Sequence, residues 1–551
     1  MKMDRPIAAA LLLGLTTFSA DAASPEVRGT WLTTTGVDHI RTGNNTADVI
    51  DDLRTIGLNT VYVEAWKNGY TNYPSRVLAD LTGGPDRSLF LGSSRDLLAQ
   101  TTVAAHRNHM AHVAWFEYGF SSQFIGSGGT PSNPLSQYMQ ARGWLLQDVN
   151  GDYANASNGF AWMNPAVPEV RQLLIDLVLE AVEHYDLDGV QFDDRLAWPA
   201  QFGWDPTTRS IYLNETGRFL PNNPNTGQLN HFNDWRQLKV QQFADQLTAA
   251  VRLARPDLRL SVSPSITPFS ATHYNADWPD WVDADLFDEY APQAYRSSIG
   301  AFNAIVNDQV APFEPGQLDR LVMGLRSNGS GASTPINDLL QMIDRTRSEG
   351  LAGHSIWYSA NVRDLFAAEL TAYYDVANAG HADHPMFGPD HRPDPIAGVA
   401  QGDDVFRFLL DTTRAYKVIA RDAPTDDWSL RRAAVYPQGT ADILVPGAFE
   451  VALLVDHRPN LSAEADLDGD GQVAINDLDT LLAQWGKAQR PADSELGELT
   501  GDGQVDADDL AVLMGRYGQP THSAAGVTVP EPAGLAVLVV VGGLLAPRRR
   551  R

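Results

Sequence analysis

The chain of 551 residues predicts an α/β fold: a (β/α)8 barrel of TIM type, followed by a small β-domain and a pair of EF-hand-like repeats. Three observations predict the barrel. From Val27 to about Asn378, apolar runs of strand length alternate with amphipathic stretches of helix length, the pattern of a parallel sheet covered by helices. The apolar runs are near-continuous, as in strands buried on both faces. No glycine-rich phosphate loop follows the first run, as the runner-up, an open doubly wound sheet, would need.

The expected strands are Val27–Thr34, Thr60–Glu64, Ala111–Glu117, Gly189–Asp193, Leu258–Ser263, Asp285–Ala291, Leu321–Leu325 and His354–Trp357. Helical patterns lie between them, among them Asp48–Ile56, Ser94–Asn108, Glu169–His184, Asn233–Leu253 and Ile336–Ser348. Ser121–Asn164, rich in Gly, Ser, Asn and aromatics, reads as a long functional loop after the third strand. The barrel is assigned to residues 25–378. Residues 379–398, with four prolines and three histidines, read as a linker or packed-down segment; the histidines lack ligand spacing and read as solvated. Short alternating runs such as Phe406–Leu410, Tyr416–Ala420, Ala433–Pro437 and Val451–Val455 place the small β-domain at 399–460.

Composition narrows the function. A formal net charge of -27 argues against nucleic acid or anionic lipid as partners. The absence of cysteine excludes disulfides, thiol catalysis and cysteine-zinc sites. Lys2 and Arg5, the apolar stretch Ala8–Leu15 and Ala20-Asp21-Ala22 read as a signal peptide over residues 1–22, hence export to the bacterial envelope or outside the cell.

Much of the acidity is local, with thirteen acidic and three basic residues in 463–518. There Asp466, Asp468, Asp470, Gln472 and Asp477 occupy positions 1, 3, 5, 7 and 12 of a loop with Gly471 at position 6, the spacing of an EF-hand calcium loop. A second copy offers Glu498, Thr500, Asp502, Gln504 and Asp509, with two departures at its start that make it the weaker Ca2+ site. Each loop leads into a helical pattern, Leu478–Trp485 and Leu510–Tyr517. The paired repeats resemble a type I dockerin-like module, which implies two calcium ions and a cohesin-like protein partner. At the end of the chain, Val529-Pro530-Glu531-Pro532, the apolar run Ala533–Ala546 and Arg548–Arg551 resemble a PEP-CTERM sorting signal over 527–551. This implies transient or C-terminal membrane association.

The most informative stretch is Tyr185-Asp186-Leu187-Asp188-Gly189-Val190-Gln191-Phe192-Asp193-Asp194-Arg195. It is a short strand ending in two carboxylates and an arginine, and a β/α barrel places its chemistry at such strand tips. Other tips supply Glu64 and Glu117. Glycosidic hydrolysis needs a proton donor and a second carboxylate as base or nucleophile. Two adjacent carboxylates split their pKa values and leave one protonated. Asp193 and Asp194 are therefore the expected acid and base, with Glu117 as the outside partner. The seventh strand, ending in Arg326, has no acid at its tip. Trp31, Trp66, Tyr70, Trp115, Trp198, Tyr295, Trp357 and Tyr358 are aromatics for the apolar faces of sugars. Glu64, Asn164, Arg195 and Gln293 are polar groups for hydroxyls. His112 and His354 read as core histidines, and Glu289 as half of a buried ion pair.

In order along the chain stand Glu26-Val-Arg-Gly-Thr-Trp31, Asn59-Thr-Val-Tyr62, Asn68-Gly-Tyr-Thr-Asn-Tyr-Pro-Ser75, His112-Val-Ala-Trp-Phe116, Met163-Asn-Pro165, Asp188-Gly189 with Phe192-Asp193-Asp194, and Pro292-Gln-Ala-Tyr295. Together they resemble the glycosyl-hydrolase-like family ten domain of bacteria, over roughly Pro25–Tyr358. The resemblance implies a (β/α)8 barrel that hydrolyses glycosidic bonds, with cell-wall glycan as one substrate class. The family pattern carries Asn-Pro where this chain has Glu117-Tyr118. The expected function is thus a secreted glycoside hydrolase acting on a polysaccharide, peptidoglycan glycan strands among the candidates. The alternative is a non-catalytic carbohydrate-binding or surface-scaffold protein built on the barrel.

Overall fold

The computed structural model describes residues 25–457, apart from 93–94, 221–228, 330–332, 377–379, 389–391, 403, 410–414, 436–439 and 446, together with 475–485 and the single positions 505, 510 and 513. The barrel strands are β1 Val27–Leu32, β2 Thr60–Glu64, β3 Ala111–Phe116, β4 Gly189–Phe192, β5 Arg259–Val262, β6 Glu289–Tyr290, β7 Val322–Arg326 and β8 Gly353–Trp357. They form one sheet in the order β6-β5-β4-β3-β2-β1-β8-β7, and every ladder is parallel. Parallel bridges Tyr290–Leu321 and Gln293–Gly324 span the remaining seam between β6 and β7. All eight expected strands are present; β6 is shorter than its apolar run, because Asp285–Asp288 approach it as a turn.

The helices follow from capping and an apolar face. Helix α1 (Gly43–Ile56) stops at Gly57, whose φ of 109° few other residues adopt; a Cβ there would lie 2.9 Å from Val376. Helix α2 (Leu97–Arg107) starts at Asp96, whose carboxylate accepts from the Ala99 amide. Helices α3 (Pro168–His184) and α4 (Asn230–Ala254) pack on each other, α4 against β4, and α5 (Ile336–Ser348) packs on β7 and β8. Outward-facing Phe192 stacks on Phe116 at 5.4 Å and meets Phe243 of α4 at 5.6 Å, one element of the layer between sheet and helices. Inside the barrel a smaller cluster contains Val27, Trp31, Tyr62, Val113, Trp115 and Val322.

The stretch read as a long loop after β3 is built rather than irregular. Ser121–Phe124 pairs antiparallel with Phe160–Trp162, and helix Pro134–Ala141 lies between them. Residues 379–398 lie against the barrel: the Asn59 side chain donates to the Ala382 carbonyl at 3.0 Å, and His384 and Arg392 are buried rather than solvated. The strands beyond, β9 Ile396–Ala397, β10 Val399–Gly402, β11 Val405–Leu409, β12 Ala415–Arg421, β13 Ser429–Val435, β14 Thr440–Leu444 and β15 Glu450–Asp456, make two antiparallel sheets, β9-β15-β12-β13 and β10-β11-β14. Their shared core holds Phe406, Phe408, Tyr416, Val418, Ile443 and Leu453. Ile419, Ala452 and Leu454 pack on Val103 of α2.

A helix spans Ile475–Gln484. Apart from the backbone of Asp477 within it, the ten expected calcium ligands lie outside the described residues, as do 1–22 and 527–551. Among the described residues no helix is long and apolar enough to cross a membrane.

Candidate active site

Strand register builds the site. β3 and β4 pair Trp115 with Gln191, and β4 and β5 pair Gln191 with Ser261. Alternation puts residues two apart on one face, so Glu117 and Asp193 leave the ends of adjacent strands side by side, above this row. Gln191 itself accepts from the Trp31 indole at 2.8 Å and donates to Ser261 at 2.8 Å, a floor of satisfied polar groups beneath the mouth.

Arg195 gathers the carboxylates. Its Nη1 lies 3.3 Å from Asp193 Oδ2, 3.7 Å from Asp194 Oδ1 and 3.8 Å from Glu117 Oε1, and donates to the Glu117 carbonyl at 3.1 Å. The loops after β3 and β4 come this close because Gly119 has no side chain: with φ at 42°, a Cβ would lie 2.3 Å from the Arg195 carbonyl. The Phe120 amide donates to that same carbonyl at 2.9 Å. The Gln293 side-chain amide donates to Asp193 Oδ1 and to the Ser263 carbonyl, tying the loop after β6 to the site. Ser265 donates to Asp194 Oδ2 at 3.3 Å.

Electrostatics separates the acids. Burial, then the neighbouring Asp194 charge, push the Asp193 carboxyl well above the ordinary range against the pull of Arg195. Burial also lifts Glu117 to about 7, although Lys67 2.9 Å away favours its charged form. Glu64 is different. Burial would raise it, but Lys67 at 2.6 Å, the Thr33 and Thr34 hydroxyls and the Asn72 amide hold it below the ordinary range. With its oxygens occupied by these donors, Glu64 is a clamp on the loops after β1 and β2, and Lys67 bridges it to Glu117.

The expected aromatics divide into a cluster of five, two buried struts and Tyr70. Trp31, Trp115, Tyr295, Trp357 and Tyr358 form one cluster: Trp357 lies 6.1 Å from Trp31, 5.8 Å from Trp115, 6.1 Å from Tyr295 and 5.1 Å from Tyr358. Tyr295, Trp357 and Tyr358 are half-buried and make an apolar wall. The Trp115 indole nitrogen is buried with no hydrogen-bond partner among the described residues. Trp66 and Trp198 are buried struts, donating to the carbonyls of Gly119 and Phe202. Asn164 is also spent on the fold, donating to Thr208 and accepting from the Ala166 amide. Tyr70 sits half-buried on the hairpin Trp66–Lys67/Tyr70–Thr71. Glu289 lies deep in the barrel, 3.0 Å from Arg259 and accepting from Tyr62 and Ser261.

Sequence reasoning missed Lys67, Ser265 and the Tyr118–Phe160 pair whose rings flank the Arg195 guanidinium at 5.0 and 4.7 Å. Only the Glu64–Lys67 spacing was a signal, and in a loop that spacing predicts no contact. Among the described residues no group of three or more His, Asp or Glu is arranged to hold a metal ion.

Residues 26–327, more than half the chain, match the family glycosyl hydrolase-like 10. The chain belongs to this family. The match takes in β1 to β7 and all four carboxylates, and stops before β8 with Trp357 and Tyr358. Glycosyl hydrolase DigH of Escherichia coli (strain K12) is 27% identical over 314 residues, covering 50% of this chain and 66% of DigH. Glycosyl hydrolase YngK of Bacillus subtilis (strain 168) is 25% identical over 284 residues, 48% of this chain and 50% of YngK. The chain thus spans less than two thirds of the length of either relative. Among solved structures, the PgaB (BpsB) glycoside hydrolase domain from Bordetella bronchiseptica aligns with 63% of this chain and 98% of that domain, at a TM-score of 0.45 and 16% identity. This glycosyl hydrolase-like 10 chain carries in Glu117 a third mouth carboxylate beside the Asp193–Asp194 pair.

Proposed function

We propose that the protein is a glycoside hydrolase that cleaves O-glycosidic bonds of a polysaccharide by carboxylate acid/base catalysis, with peptidoglycan glycan strands the first substrate to test. One observation carries the reading: Glu117, Asp193 and Asp194 converge on a single guanidinium nitrogen at the tips of adjacent strands. Asp193, pushed toward its protonated form, is the proton donor to the leaving oxygen. Asp194, turned toward Arg195 and Ser265, is the second carboxylate, acting as base or nucleophile. Glu117, ionising at about 7, is an outside partner able to exchange a proton near neutral pH. Arg195 keeps three acids together without neutralising them all, and Gln293 fixes the Asp193 carboxyl plane. The Tyr295–Trp357–Tyr358 wall suits the apolar face of a sugar ring.

The same reading takes residues 1–22 as an export signal, the repeats at 463–518 as two calcium sites that dock a cohesin-like partner, and 527–551 as a sorting segment. Calorimetric calcium titration of the full chain should give two sites, and Asp468→Ala should abolish the tighter one. The enzymatic reading is tested by reducing-end release from peptidoglycan glycan and a polysaccharide panel. Binding without cleavage would move the protein to the carbohydrate-binding class. Unchanged turnover in both Asp193→Asn and Asp194→Asn would remove these residues from the chemistry.

A further inference from the structure

Beside the mouth, an aromatic ledge rises from the insertion after β3. Phe124 is 58% exposed at the end of its hairpin strand. An exposed phenylalanine alone means little, but this one is braced. Its amide donates to the Asn68 side chain at 3.0 Å, and the Asn133 side chain ties the hairpin down through the carbonyls of Asn68 and Ser122 at 2.7 and 2.9 Å. Phe160, on the partner strand, meets the Phe124 ring edge-on at 5.1 Å. Phe160 packs in turn on Tyr118 at 5.6 Å, and the Arg195 guanidinium lies 4.7 Å from its centroid. Two ring contacts therefore lead from an exposed, preorganised aromatic to the arginine that holds the three carboxylates.

Topology sets the direction. In an eight-stranded ring β4 faces β8, and β3 faces β7. The ledge reaches Arg195 through Phe160, and the Trp357 wall stands at the end of β8, so the β4 tip has one aromatic surface beside its arginine and another on the strand it faces. We propose that Phe124 is the platform of a second glycan subsite, and that a polysaccharide strand lies across the mouth from the Trp357 wall over Asp193 and Asp194 to this ledge. The inference rests on the glycosidase reading for the identity of its ligand, a neutral sugar face stacked on an aromatic ring.

The test compares long peptidoglycan glycan strands with their disaccharide fragment, using the full chain, Phe124→Ala and Phe124→Trp. The expected result for Phe124→Ala is a rise in Kd and KM of about tenfold on long strands, with kcat, melting temperature and disaccharide handling unchanged. Phe124→Trp should restore strand affinity. The inference is overturned if Phe124→Ala keeps wild-type strand affinity, if it weakens strand and disaccharide equally, or if its loss tracks a lower melting temperature that Phe124→Trp does not repair. Wild type that binds neither probe overturns the ligand class. Wild type that binds strands through Phe124 without cleaving them leaves the subsite standing and removes the glycosidase reading instead.

Discussion

Strand β4 has carboxylates at both ends, and they live in opposite surroundings. At its N-terminal end, Asp186 and Asp188 are buried against Arg392, which reaches both, and Lys417, which reaches Asp186. Two acids meet two bases, and the remaining oxygen capacity is filled by the His112 amide at 2.7 Å, His106 at 3.0 Å and the His457 amide at 3.2 Å. At the mouth beyond its C-terminal end, the cations that pair with Glu64, Glu117, Asp193 and Asp194 among the described residues are Lys67 and Arg195. The matched cluster holds Asp186 well below its ordinary range: burial opposes this, and Arg392 and Lys417 overcome it. The unmatched one leaves Asp193 and Glu117 raised. Burial is common to both ends, so partner count decides which end is a joint and which can move protons.

The largest effect should come from unbalancing the joint. Arg392→Ala takes a cation from two buried carboxylates and leaves Asp188 without its guanidinium, which costs about 3–5 kcal/mol; urea denaturation should show this loss, and adding Asp188→Asn should recover part of it. Asp193→Asn should do the reverse. Turnover on the cleaved glycan should fall roughly 10²- to 10⁴-fold, while the urea midpoint holds, because asparagine matches the shape of a carboxyl that burial and Asp194 already push toward its neutral form. A large stability loss in Asp193→Asn would erase the contrast between the ends.

A smaller effect tests Lys67. It is the nearer of the two cations that favour the charged form of Glu117, so Lys67→Met should move the Glu117 ionisation upward. The acidic limb of the kcat/KM profile should shift to higher pH by on the order of one unit. An unmoved limb would take Glu117 out of the rate-limiting proton transfer.

The two ends also differed in how visible they were. The strand tip Asp193-Asp194-Arg195 was legible because a barrel converts strand alternation into a place at the mouth, and the apolar runs located all eight strands, the sixth four residues too early at its start. The joint was not. Asp186 and Asp188 carry no mark of a joint in the sequence, and their partners Arg392 and Lys417 stand more than two hundred positions away, with no periodic pattern linking them. Arg392 lay in a segment whose prolines and histidines pointed toward solvent. Asn164 and Trp66 failed as mouth candidates for a related reason: residue type gave their chemistry, but loop geometry turned their polar atoms onto carbonyl and hydroxyl partners within the fold.

The finest separation between the ends is the sign of their pH dependence. His106 lies between Asp188, which can only accept, and Lys417, 2.7 Å from its Nδ1, which can only donate. The ring is therefore neutral with its proton on Nε2, and burial, with Arg392 and Lys417, holds its pKa well below 6.5. Below pH 6.5 the unfolded chain gains a proton that the fold refuses, so this group lowers stability as pH falls. His112 and His354, both pushed down to about 3 by burial, act in the same direction. Glu117 acts the other way: between about 7 and its ordinary 4.5 the fold holds a proton that the unfolded chain has lost, so stability rises as pH falls. Each group contributes at most about 1.4 kcal/mol per pH unit. Measured by urea midpoints from pH 7 to pH 5, the acid-side loss of stability should become shallower in His106→Gln and steeper in Glu117→Gln. If both substitutions changed the slope in the same direction, the mouth and the joint would not be electrostatic opposites, whatever their absolute stabilities.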